Sequence, residues 1–179
     1  MLKLNIQRFA DGDTSAVASD PELQDIMTYD EAHYFGDSVG TTITLGGVIT
    51  ELTESSNPEE SEKQYIHQKS KTVKVTGFSN EFPITMDMVK GDAVFEDFYQ
   101  IWYQRLTGTD AQRDHYIVNL WEPTETANVY NARKITQTVS ITEANGDAGA
   151  QKQITGSLKG GDFVYGTFNV STKTFTPNA

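Results

Sequence analysis

The stretch Lys134-Ile135-Thr136-Gln137-Thr138-Val139-Ser140-Ile141 decides the fold class. Ile135, Val139 and Ile141 fall on one side of an extended chain, and Lys134, Thr136, Thr138 and Ser140 on the other. A two-residue period of this kind marks a strand with one apolar face. The pattern repeats outwards. Ile154, Gly156 and Leu158 alternate against Gln153, Thr155, Ser157 and Lys159, and Asn145-Gly146-Asp147-Ala148-Gly149 supplies a hairpin loop between the two runs. Upstream, Tyr116, Val118 and Leu120 share a face, and downstream Phe163 to Val170 closes the sheet.

One segment breaks the period. From about Gly91 to Leu106, Val94, Phe95, Phe98, Ile101, Trp102 and Leu106 line one face of a helix, with Asp92 near its start and Gly108 past its end. Sixteen helical residues span roughly 24 Å, long enough to cover one face of a sheet. The expected fold is therefore mainly β: an antiparallel β-sandwich or partial barrel with one packed α-helix. The aromatic stripe is read as core packing rather than as a cofactor site.

Nearer the start, residues 41–53 alternate as a strand through Ile43, Leu45 and Val48, with Gly46-Gly47 shifting the phase. Its expected partner is Tyr65 to Gly77, where Val73 and Val75 share a face and His67, Gln68, Lys69, Ser70 and Lys71 are polar on both. The run Thr53-Glu54-Ser55-Ser56-Asn57-Pro58-Glu59-Glu60-Ser61-Glu62 then becomes the tip of a long projecting hairpin. Phe82 to Met88 reads as a short edge-like strand. Residues 1–40 read as an extended N-terminal arm ahead of a body spanning 41–179. Asp11 to Ala16 has linker composition, and Leu23, Ile26, Met27, Tyr34 and Phe35 are expected to dock the arm on another surface.

Charge separates the same two regions. Residues 1–62 hold thirteen acids and two bases, which accounts for the whole net charge of −11, while residues 63–179 hold twelve of each. That balance argues against gripping nucleic acid through its phosphates. No cysteine is present, which excludes disulfides and thiolate metal sites. The first ten residues lack the unbroken apolar core of a signal peptide, and no window is long enough to span a bilayer, so a soluble intracellular protein is expected.

Catalytic and metal signals are weak. Gly36-Asp37-Ser38-Val39-Gly40 is similar to serine-nucleophile stretches, but residues 116–179 contain no histidine, and only His33 precedes Ser38. His33, His67 and His115 are scattered, without the spacing of a helical zinc pair, and Asp114-His115 reads as a solvated turn. Glu54, Glu59, Glu60 and Glu62 lack the alternating ligands of a calcium loop. The expectation is no catalytic residue, no metal and no cofactor.

The opening Leu4-Asn5-Ile6-Gln7-Arg8-Phe9-Ala10 resembles the short start found in virion structural proteins of phages of Gram-positive bacteria. More specifically, the order of elements resembles the major tail tube protein of long-tailed phages: an arm, a long hairpin, a central helix and a closing run of strands. The segment Ile154 to Lys159, then Phe163 to Phe168 and on to Lys173-Thr174-Phe175, looks like that family's closing hairpin. The resemblance implies a non-enzymatic homo-oligomer of stacked hexameric rings, with Thr53 to Glu62 as the ring-stacking loop. It also implies tape-measure, terminator and distal tail proteins as partners, and a lumen through which DNA passes without specific binding. The protein would be assembled in the host cytoplasm and reside in the virion tail, with no membrane contact. A carbohydrate- or receptor-binding or decoration β-sandwich of the same virion is the competing expectation, and Trp121, at a strand end, is the aromatic free to serve it.

Overall fold

The computed structural model describes residues 26–37 and 40–178. The elements in chain order are β1 (Glu31–Gly36), β2 (Ile43–Leu45), β3 (Ile49–Leu52), β4 (Pro58–Lys63), β5 (Thr72–Phe78), β6 (Glu81–Asp87), α1 (Ala93–Gln104), β7 (Gln112–Pro123), β8 (Val129–Asn145), β9 (Gln153–Lys159), β10 (Val164–Asn169) and β11 (Thr174–Pro177). Nine strands make one antiparallel sheet, ordered β2-β1-β7-β8-β9-β6-β3, with β10 and β11 attached through β8. The sheet is not closed into a barrel, and one helix packs on it.

The long strand β8 carries the alternation that decided the class. Its second half pairs with β9 from Thr138 to Asn145, and its first half pairs with β10 from Val129 to Lys134. β9 and β10 thus share one edge of β8, and the chain passes between them through Gly160 and Gly161, both at positive φ. A Cβ at Gly161 would lie 2.2 Å from the Thr136 carbonyl oxygen, so only glycine fits this crossing.

The strand order carries a second consequence. β2 and β3 stand at opposite ends of the path, yet only Gly46, Gly47 and Val48 separate them in the chain. So short a link forces the sheet to curl until its two ends approach each other. Gly46 makes the turn: its N–H donates to the His33 carbonyl at 2.8 Å, and a Cβ there would sit 2.5 Å from Ile49 Cδ1.

Two apolar clusters flank the sheet. The larger joins Phe35, Phe82, Ile84, Met86, Ile117, Ile135, Val139, Ile154 and Leu158 to the helix residues Val94, Phe95, Phe98 and Ile101. The smaller holds Tyr34, Tyr116, Val118, Ala132 and Phe168 beneath the β10–β11 hairpin. β7 is therefore buried on both faces, unlike the one-faced strand expected from Tyr116, Val118 and Leu120.

Helix α1 runs two residues shorter at each end than expected. Asp92 Oδ1 accepts from the Phe95 N–H at 2.9 Å, and Arg105, at φ 55°, ends the helix in the left-handed region where Gly108 was expected to mark the stop. Trp102 is only half-buried, with the Arg105 guanidinium 5.5 Å from its ring centroid, and Leu106 packs on the core from beyond the helix. A buried ion pair fastens the helix to β7: the Arg113 guanidinium donates to Asp97 at 2.8 Å while also capping the Asp110 carbonyl at 2.9 Å.

Four expectations are corrected. The arm does not extend to residue 40, because Glu31–Gly36 is an inner strand paired with both β2 and β7. Tyr34 and Phe35 are accordingly core residues, not arm contacts. Residues 41–53 form two strands, not one, and β3 pairs with β6 rather than with residues 65–77. β6 is not an edge, since β3 and β9 flank it on either side.

Candidate interaction surface

The acidic run is divided by the structure. Glu54 belongs to the body, where its carboxylate accepts two hydrogen bonds from Arg133, both 2.9 Å. Ser55 pairs with Glu81 by reciprocal backbone bonds of 2.8 Å, and the Ser79 N–H reaches the Ser56 carbonyl at 3.1 Å. Asn57, at φ 37°, turns the chain away and donates from its side chain to the Ser79 carbonyl at 3.2 Å. From Pro58 onward the run is strand β4. Thr53 to Glu62 is thus the root and first strand of a hairpin, and the projecting tip is Gln64 to Lys71.

β4 and β5 form a two-stranded sheet of their own, paired from Pro58 opposite Phe78 to Lys63 opposite Thr72, with a bulge where the register shifts between Glu59 and Glu60. Every residue of β4 is exposed, and in β5 only Gly77 is partly covered. An isolated ribbon of this kind is marginal in water at best. Its side chains are apolar on β5 at Val73, Val75 and Phe78, and at the tip at Tyr65 and Ile66, all exposed. Its charges are of both signs. Glu59, Glu60 and Glu62 face a ribbon that also carries Lys63, Lys69, Lys71 and Lys74, with Lys71 paired to Glu62. Sequence reasoning missed the tip because the acids drew it to the wrong strand. The polar character of both faces at residues 67–71 was the available signal.

The arm residues separate as well. Leu23 lies outside the described residues, as do Ser38 and Val39 of the glycine-flanked stretch. Ile26 and Met27 are exposed and border a shallow depression with Trp121 and Leu52. Asp37 has a structural role: desolvation opposes its charge, but hydrogen bonds from Thr41 and Thr42 hold its carboxyl down to about 2.

Two histidines expected to be scattered are adjacent. His33 Nδ1 lies 3.1 Å from His115 Nε2, and His115 Nδ1 lies 3.0 Å from Gln137 Oε1. His115 is a core residue stacked on Phe35, with ring centroids 4.6 Å apart, and not part of a solvated turn. The Gln137 amide donates to the Leu158 carbonyl at 3.5 Å, which turns its oxygen toward His115. His115 therefore donates from Nδ1 and accepts at Nε2 from His33 Nδ1–H. Burial holds both imidazoles well below their ordinary range, His33 to about 4, with Arg133 adding to the effect. At the far end His33 Nε2 faces Glu31 Oε1 at 3.4 Å, and burial raises the Glu31 carboxyl. The network fills polar valences inside the core, and its outer end, His33 and Glu31, reaches the surface. Among the described residues no group of three or more His, Asp or Glu side chains is arranged to hold a metal, and no helix is long and apolar enough to cross a membrane.

No protein-family model matches the sequence, and no curated protein matches it. Solved structures do share its fold. A subunit of the phage SPP1 tail tube superposes with a TM-score of 0.64 at 15% identity, over 79% of this chain and 78% of that one. A chain of the anti-feeding prophage baseplate superposes with a TM-score of 0.52 at 7% identity, over 80% of this chain and 96% of that one. At these identities the likeness is one of fold.

Proposed function

We propose that the chain is a non-enzymatic structural subunit of a phage-type tail, polymerising as stacked hexameric rings into a tube that conducts the genome. The observation that carries this reading is the β4–β5 ribbon. It projects from a fold shared with a tail tube subunit, and among the described residues nothing covers its exposed Tyr65, Ile66, Val73, Val75 and Phe78. A surface of that kind is stable when a partner buries it. The ribbon is the contact between rings. Within a ring, the edges of β2, β3 and β11 that are unpaired among the described residues are where neighbouring sheets join, since assembly is one way to remove open edges.

In this reading tape-measure, terminator and distal tail proteins meet the tube at its core and its ends, and the subunit assembles in the host cytoplasm before entering the virion. DNA crosses the lumen without specific contacts, because strand faces of Thr and Ser offer phosphate little to hold. The carbohydrate-binding alternative has less support. Trp121 is half-buried beside Leu52, and Trp102 packs with Tyr99 at 5.7 Å.

Replacing Gln64 to Lys71 by a two-residue Asn-Gly turn tests the reading, because it shortens the ribbon without touching its root. The expected product is a folded protein that forms rings but no tubes in electron micrographs. Tubes of normal length from this variant would contradict the stacking role.

A further inference from the structure

The curled sheet leaves a groove where its two ends approach without pairing. It lies between β1 and β3 and encloses about 520 Å³. Leu45, Ile49, Leu52, Leu120 and Tyr29 line it, and Leu45 and Tyr29 are markedly exposed. Among the described residues its wall carries the acids Glu31 and Glu51 and no lysine or arginine. His33 also lines it and is neutral at pH 7, being held down to about 4 by burial. The nearby Arg133 is engaged by both carboxylate oxygens of Glu54.

The ribbon tip has the opposite character. Gln64 to Lys71 contains Lys69 and Lys71 and no acid; Lys71 is engaged by Glu62, so Lys69 is the cation the tip itself presents, with Lys63 and Lys74 on the adjoining strands. Tyr65 and Ile66 stand at its end, held out by the turn in which the Gln68 N–H donates to the Tyr65 carbonyl at 2.9 Å. Ile66 is fully exposed. An apolar pair with Lys69 beside it on one surface thus matches an apolar groove rimmed by carboxylates on another.

We infer that the groove between β1 and β3 receives Tyr65 and Ile66 of the ribbon tip from a second copy of this chain. The inference rests on the stacking reading above and names the receiving surface for it. The contact is heterologous: each subunit presents one tip and one groove, so the interaction propagates from copy to copy instead of closing a dimer. Tyr65 and Ile66 bury apolar area, and Lys69 with its neighbours meets Glu31 and Glu51 at the rim.

Cross-linking tests this cleanly because the chain has no cysteine of its own. Two double variants, His67→Cys with Thr50→Cys and Gln64→Cys with Leu45→Cys, are treated with a short bis-maleimide under assembly conditions. A third, His67→Cys with the distant Thr142→Cys, serves as control. Each sample is also inspected by electron microscopy. Tubes, together with a ladder of covalent oligomers from either groove pair and little from the control, are the expected result. Tubes without a ladder from either groove pair would overturn the groove assignment while leaving stacking intact, and the groove would then belong to another occupant, such as residues 1–25. An equal ladder from the control would overturn it as well. Failure of the unmodified protein to form rings or tubes would overturn the stacking reading itself.

Discussion

His115 shows how a single polar residue is accommodated in this core. It shares a strand face with Ile117, and Gln137 shares one with Ile135 and Val139, so each interrupts an apolar series in phase. In-phase polar residues on two strands that pair are the signature of a buried hydrogen bond, and here they bond at 3.0 Å. The signal lay in the sequence, but strand pairing was needed to see that the two were partners. Because both buried imidazoles resist protonation, the unfolded chain binds more protons than the folded one below about pH 6.5. Their contribution is complete above that value and is lost as the pH falls. Glu31, whose carboxyl is raised by burial, works in the opposite direction, though at lower pH. The thermal midpoint is expected to drop between pH 6.5 and 5. In a His115→Leu/Gln137→Leu variant the pH dependence of the unfolding free energy is expected to be shallower, by up to about 1.4 kcal/mol per pH unit. A wild-type midpoint flat over this interval would refute the assignment. Arg113 offers a second test. It is buried against Asp97, and Arg113→Met leaves that carboxylate and the Asp110 carbonyl without their donor. A loss of about 3 kcal/mol in denaturant unfolding is expected, and a change below about 0.5 kcal/mol would show that the pair does not anchor the helix.

At the scale of elements, what the sequence revealed and what it concealed divide along a physical line. Periodicity reports which way a side chain points, and the strands at 135–141, 153–159 and 163–170 and the helix face from Val94 to Ile101 were legible for that reason. It does not report which strand lies alongside. β3 pairs with β6 across the whole inserted ribbon, and β1 pairs with β7 across more than seventy residues. Nothing local to those strands encodes either partner, so the root of the ribbon was mistaken for its tip, and a core strand for part of an arm. Gly160-Gly161 at the β9–β10 crossing interrupts the period, and periodicity says nothing of what lies across it. In the structure this pair lets one strand edge serve two partners. Gly161→Ala is expected to lower the thermal midpoint by more than about 5 °C, because the methyl group would lie against the Thr136 carbonyl at a positive φ. An unchanged midpoint would mean that the crossing has room to relax.

For the whole molecule, the charge asymmetry takes on a different meaning. Among the described residues, the acids up to Glu62 do not form one patch: Glu54 is consumed by Arg133, Glu62 by Lys71, and Glu31 and Glu51 rim the groove. Among the described residues the sheet edges are open, the seam is unclosed and the ribbon is uncovered, as the proposed subunit with its contacts unmade would require. The fold shared with a tail tube subunit is consistent with that, at an identity too low to carry function by itself. The central claim is that these surfaces are completed by copies of the same chain. Negative-stain electron microscopy of the concentrated, purified protein tests it most directly. Stacked rings or tubes with six subunits per ring are the predicted result; uniformly dispersed monomers across a wide range of concentration and salt would contradict it.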